Sequence, residues 1–105
     1  MKPRTVYFLD TKCEIVKLRY QNSRTALELV IAEDDEDREL YKGEPMATAT
    51  VNIPQVPLEH NEVIIKDYSE NEGMLETLVK AGIVEDTGKV VETGFVVCNI
   101  CKLLI

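Results

Sequence analysis

Alternation of apolar and polar positions runs through the first two-thirds of the chain and predicts short strands. Val6 to Leu9 is a small apolar run, read as an edge strand. From Glu14 to Tyr20, Val16, Leu18 and Tyr20 share one face while Lys17 and Arg19 share the other. Polar Gln21-Asn22-Ser23-Arg24 follows, and Ala26 to Ala32 alternates again with Leu27, Leu29 and Ile31 expected inward. Two alternating runs around a short polar connection predict a β-hairpin.

The acidic stretch Glu33 to Glu39 and then Tyr41-Lys42-Gly43-Glu44-Pro45 are expected to form a connection, with Gly and Pro close together. Met46 to Ile53 resumes the strand pattern, with Ala47, Ala49, Val51 and Ile53 on one face, until Pro54 and Pro57 end it. Asn61 to Lys66 is a further short strand rich in β-branched residues. Ser69 and Glu72 stand at capping-box spacing ahead of the stripe Met74, Leu75, Leu78 and Val79, and Gly82 marks the stop. Gly73 is then expected inside the first turns, where glycine costs about 1 kcal/mol relative to alanine. Asp86-Thr87-Gly88-Lys89 reads as a turn and Phe95 to Ile105 as the last strand. That strand is apolar on both faces: Phe95, Val97, Cys101 and Leu103 on one, Val96, Cys98, Ile100 and Leu104 on the other. It is expected to be covered by the helix on one side and by a second layer or a dimer partner on the other. The expected architecture is one α+β domain over residues 1–105: a mainly antiparallel sheet of about five to six short strands with one packed α-helix near residues 70–81.

Composition narrows the function classes. With 45% hydrophobic and 30% charged residues in 105, the chain has the make-up of a globular domain that can build a core without metals or disulfides. No run approaches the ~18 apolar residues of a membrane span. The basic start Met1-Lys2-Pro3-Arg4 is followed by only Val6 to Leu9 before Asp10 interrupts. A signal peptide needs an apolar region of about 7–15 residues, so a cytoplasmic protein is expected. Three cysteines, an odd number, read as reduced thiols rather than a disulfide framework.

The net charge of −7 is uneven: residues 1–32 balance at +3, Glu33 to Glu39 at −5, residues 40–58 at zero and 59–105 at −5. Only the N-terminal third could offer a basic face, and direct nucleic-acid binding is disfavoured.

Candidate chemistry is sparse. Cys13, Cys98, Cys101 and His60 would complete a tetrahedral zinc shell. Cys98 and Cys101, however, are three apart in an expected strand and point to opposite faces, so core positions are favoured over zinc or redox chemistry. His60, the only histidine, sits in a polar loop beside Glu59 and Glu62 with no nucleophile marked nearby. No nucleophile elbow, phosphate-cradling glycine loop or paired-histidine zinc motif occurs. The run Glu33-Asp34-Asp35-Glu36-Asp37 lacks the glycine and distal glutamate of a calcium loop; it reads as a solvated linker extended by self-repulsion, or as a docking surface for a basic protein. Asp67 to Gly73 reads as a capped helix start, since Glu70 and Glu72 would repel an anion there. No residue is assigned as catalytic, cofactor-binding or metal-ligating.

Three stretches look familiar together: Gly43-Glu44-Pro45 through Ala47 to Pro54, Asn61 through Gly73, and Ala81 to Gly88 with Thr93-Gly94-Phe95-Val96. Over roughly residues 43–104 they resemble a family of small uncharacterised proteins associated with conjugative and phage-like mobile elements of gut bacteria. The resemblance implies a bacterial cytoplasmic protein and supplies no catalytic residue to carry over. The function expected from all this is a non-enzymatic accessory or protein-interaction module with an acidic surface and no cofactor. Its expected partner is another protein of basic charge, with a homodimer through the C-terminal strand as a further expectation and no membrane contact. The alternative is a small-ligand or zinc-binding protein using Cys13, His60, Cys98 and Cys101.

Overall fold

The structure, a computed structural model, describes residues 4–105; the basic start Met1-Lys2-Pro3 lies outside them. The described residues form eight strands: β1 (Arg4–Phe8), β2 (Thr11–Arg19), β3 (Thr25–Ile31), β4 (Pro45–Thr48), β5 (Thr50–Val51), β6 (Glu62–Ile65), β7 (Val84–Thr93) and β8 (Val96–Leu103). One α-helix, α1 (Met74–Lys80), precedes β7. All strand pairs are antiparallel, in two four-stranded sheets ordered β1-β2-β3-β4 and β5-β6-β8-β7. The α+β class therefore holds, with eight strands where about five to six were expected.

Two features account for the extra strands. The run from Met46 to Ile53 splits at Ala49, whose N–H donates to Leu27 O in the first sheet (2.8 Å) and whose carbonyl accepts from Lys66 N beside the second (2.8 Å). Ala49 is fully buried at this pivot, so the chain changes sheets where only a small side chain fits between them. The expected common face of residues 47 to 53 is split accordingly: Ala47 and Ala49 join the main core, while Val51 and Ile53 join a second apolar cluster. The second feature is β7, where Asp86 to Lys89 is not a turn but a bulge. The register moves from Asp86↔Cys101 to Val90↔Asn99, and the Thr87 hydroxyl donates to Ile100 O (2.7 Å) in place of a ladder N–H.

The predicted hairpin is β2–β3, with Cys13 opposite Ile31, Ile15 opposite Leu29 and Lys17 opposite Leu27. Directly opposed residues share a face. Leu27, Leu29 and Ile31 point inward as expected, which turns Cys13 and Ile15 inward too and leaves Leu18 half-exposed. Val6, Phe8, Leu27, Leu29, Val63, Ile65 and the helix residues Met74 and Leu78 close the main core. Each large apolar side chain fully buried here contributes about 1.5–3 kcal/mol. The helix packs against the edge strands β1 and β7, closing the side left open between the sheets.

The helix start differs from the capping-box expectation. Residues Ser69–Asn71 form a 3-10 turn, and Gly73 is the N-cap of α1 at φ 94° rather than an interior residue. No side chain at the cap itself takes part; instead Asp67 Oδ1 accepts from Leu75 N (3.0 Å). A residue in the left-handed region between two short helical turns breaks the continuous helix that the spacing suggested. The helix ends at Ala81 and Gly82, as predicted.

β8 is covered on both faces from Cys98 onward, while Val97 at its start is exposed. Cys101 and Leu103 face the main core, while Cys98 and Ile100 face a cluster roofed by Ile53, Val56 and Leu58 of the preceding loop. The second layer on that face is the protein's own loop over residues 52–61. Phe95 lies outside the strand, in the two-residue turn joining β7 to β8, fully exposed. None of the helices among the described residues is long and apolar enough to cross a membrane.

Candidate acidic docking surface

The Glu33–Glu39 stretch is not an extended linker; it folds into a closed loop over the turn between β1 and β2. Asp35 and Leu40 exchange main-chain hydrogen bonds (2.8 and 3.0 Å) around a 3-10 turn, Glu36–Arg38. Asp35 Oδ1 accepts from Arg38 N (3.4 Å), the usual way an aspartate satisfies an orphan N–H at a helical start. Arg38 then anchors the loop: its Nη1 donates to Asp10 O (3.2 Å) and its Nη2 to Thr11 Oγ1 (2.8 Å). Lys12 pairs with Glu33 at 2.7 Å, and Asp34 Oδ1 accepts from Lys42 N (2.8 Å). Self-repulsion among six acids is therefore offset by one internal arginine, one lysine and main-chain donors.

The turn beneath this loop is itself unusual. Leu9 and Asp10 both have left-handed backbones, φ 50° and 58°. Two-residue hairpin turns with both central residues left-handed favour Asn-Gly, because a residue with Cβ pays about 1–2 kcal/mol there. The Arg38 bond to Asp10 O helps to hold it. Leu9 is 58% exposed and Tyr7 67% exposed on the adjacent edge strand. Between loop and turn lies a groove of about 580 Å³, bordered by Tyr7, Asp10, Lys12, Glu33, Asp35 and Arg38. Glu36 and Asp37 stand on its rim and Glu39 just beyond it, all three exposed carboxylates.

The thiols are elsewhere. Cys13 and Cys101 lie in the main core, and Cys98 lies across β8 in the second cluster, all three buried. Burial pushes each thiol up; Cys101, with Asp86 and Asp67 adding their charge, is pushed to about 12. His60 is exposed in the loop before β6. Cys13, His60, Cys98 and Cys101 are not brought to one point, since Cys98 and Cys101 occupy opposite faces as the spacing predicted. Among the described residues no group of three His, Cys, Asp or Glu side chains is placed to hold a metal ion.

Several polar residues that hold the frame carry no motif. Asn71, 1% exposed, donates through Nδ2 to Thr48 O (2.7 Å) and so ties the helix start to β4. Tyr20 Oη lies 2.8 Å from Oγ1 of the buried Thr50, which also accepts from Leu27 N (3.3 Å). Glu62, buried in β6, pairs with Lys89 at 2.6 Å and accepts from Glu59 N (2.9 Å). The Lys89 bond, then the Glu59 N–H, hold its carboxyl below the ordinary glutamate range. Arg24 donates through Nη1 to Ile53 O (2.8 Å) and through Nη2 to Val56 O, pinning the roof of the second cluster. A charged residue inside the β-branched run 62–65 was the one legible hint of these.

Comparison with family models, with curated proteins and with solved structures finds no match to this chain.

Proposed function

We propose that the protein is a non-enzymatic interaction module whose acidic loop docks a basic segment of another protein. The observation that carries the reading is that the Glu33–Glu39 loop is built: Asp35 and Arg38 fold it onto the β1–β2 turn and hold its carboxylates beside exposed Tyr7 and Leu9. A cationic peptide finds charge complementarity on the loop and an aromatic surface at its side, where an arginine or lysine can stack. The resemblance to proteins of mobile elements fits a module of this kind in a bacterial cytoplasm.

The test is fluorescence anisotropy with a labelled peptide of alternating arginine and leucine. The triple variant E36Q/D37N/E39Q removes charge without touching Asp35 or Arg38. Affinity should fall about tenfold in the variant, and fall again for wild type as ionic strength rises from about 0.05 to about 0.5 M. Binding indifferent to both changes refutes the reading.

A further inference from the structure

At the far end of β2 from the acidic loop, the inward-facing positions change character. Cys13 and Ile15 sit in or against the main core, and the next two residues on that face are Lys17 and Arg19, beyond the core's edge. Arg24 approaches from the turn between β2 and β3, and His60 from the loop before β6. These four side chains border a groove of about 450 Å³ between the two sheets, whose remaining wall includes the apolar Leu58, Leu103 and Ile105.

The hydrogen bonds made by these cations are informative. Five ion pairs form among the described residues, using Lys12, Arg38, Lys66, Lys80 and Lys89. Lys17, Arg19 and Arg24 take part in none of them, although the chain holds 19 acids against 12 bases. Each donates only to main-chain oxygens: Lys17 Nζ to Ile105 O (3.2 Å), Arg19 Nη1 to Ser23 O (2.9 Å), and Arg24 to Ile53 O and Val56 O. Carbonyls within the chain satisfy donors without cancelling charge, so Arg19 and Arg24 converge uncompensated in an acidic protein, with Lys17 beside them on the main-chain oxygen of the last residue in the sequence. Two carboxylates reach the same groove, Glu59 and Glu62. Glu62 is consumed by Lys89 and the Glu59 N–H, which leaves Glu59 as the acidic rim of an otherwise cationic site.

We propose that this groove binds a small molecule bearing a phosphate group attached to an apolar moiety. Arg19 and Lys17 keep most of their donors free for the anion, and a guanidinium matches phosphate oxygens two at a time. Arg24, whose bonds fix the loop, contributes charge rather than new contacts. The apolar moiety lies on Leu58, Leu103 and Ile105, as in other concave sites at the mouth between sheets. The site shares no residue with the acidic docking loop and stands or falls separately from it.

The experiment is a titration of the isotope-labelled protein at low ionic strength with inorganic phosphate and, separately, phenyl phosphate, following the amide signals of Asn22, Ser23, Thr25 and Asn61. Saturable shifts confined to those amides are expected, with phenyl phosphate binding several-fold tighter than phosphate. The variant K17Q/R19Q should weaken phenyl phosphate about tenfold or more, since each bond to a charged group is worth that much, while K80Q/K102Q should bind as wild type. Both altered side chains are exposed, so the variant's remaining amide signals should stay in place; if they do not, R19Q alone is titrated against the same criterion. Non-saturating shifts, equal shifts at every basic surface residue, equal affinity for the two probes, or an unaffected K17Q/R19Q each overturn the proposal.

Discussion

Replacing Gly73 with alanine separates two accounts of the helix start by sign rather than by degree. If Gly73 were inside the first turn, as the capping-box spacing suggested, alanine would stabilise the protein by about 1 kcal/mol through helix propensity. In the structure Gly73 stands outside α1 with φ 94° and ψ −4°. A Cβ built there meets nothing within 4 Å, so the cost is backbone strain alone. An L-residue in the left-handed region pays about 1–2 kcal/mol. Alanine recovers about 0.4–1 kcal/mol by stiffening the unfolded chain, and only where its native conformation is unstrained. The net expectation is a loss of about 1 kcal/mol, a gap of about 2 kcal/mol between the two accounts. Urea unfolding followed by circular dichroism resolves this: with a slope of about 1–3 kcal/mol per molar, the midpoint of G73A should fall by about 0.3–1 M at constant slope. A midpoint above that of wild type would refute the placement of the cap. It would also restore Ser69 and Glu72 to the role their spacing suggests.

Three further outcomes follow from named contacts. N71A should lose about 1–3 kcal/mol, because it strips a buried donor from Thr48 O, and N71D should lose more by facing a carboxylate to that carbonyl; urea midpoints check the ordering, and N71D as stable as wild type contradicts it. Glu62 has its pKa depressed on folding, so the unfolded chain binds the extra proton as pH falls. Its contribution is full above the ordinary glutamate value and lost as acidity carries the pH down through the lower folded value. E62Q should therefore flatten the fall in melting temperature between pH 7 and the acid range, and an unchanged profile counts against the Lys89 pair. The three buried thiols should react with a disulfide reagent at neutral pH only at the rate of unfolding, since Cys101 is held near 12 and the others are raised; prompt labelling of one thiol in the native protein contradicts its burial.

What the sequence disclosed depended on whether one periodicity governed a segment. Leu27, Leu29 and Ile31 announced β3 and its inward face because one face of that strand meets the core throughout its length. Opposite them, Val16 and Leu18 looked equally suited to burial, yet pairing with β3 turned Cys13 and Ile15 inward, and register is a property of two strands that one cannot declare. Ala49 hid the change of sheet for a similar reason: its alternation is unbroken, and only the different partners of its N–H and C=O reveal the pivot. In β7, Asp86-Thr87-Gly88-Lys89 had turn chemistry because a bulge uses the same residues as a turn. The cysteine geometry was legible, since a spacing of three in a strand separates faces whatever the fold. The acidic segment was visible as charge but not as structure, because Asp10 and Thr11, which receive Arg38, lie far from it in sequence.

β2 joins two opposite electrical poles, and this has a consequence for how the molecule moves before it touches anything. Its nine residues separate the β1–β2 turn from the β2–β3 turn by about 27 Å at the usual rise per residue. One terminus carries the folded carboxylate loop and the other Lys17, Arg19 and Arg24. Along β2 the charge thus runs from negative to positive, a gradient that the net charge of −7 does not express. In a field such a gradient adds a torque to the pull of the net charge, and its contribution favours presenting the carboxylate end to a cationic surface. Ions in solution shorten the reach of that torque, and dilution of salt restores it.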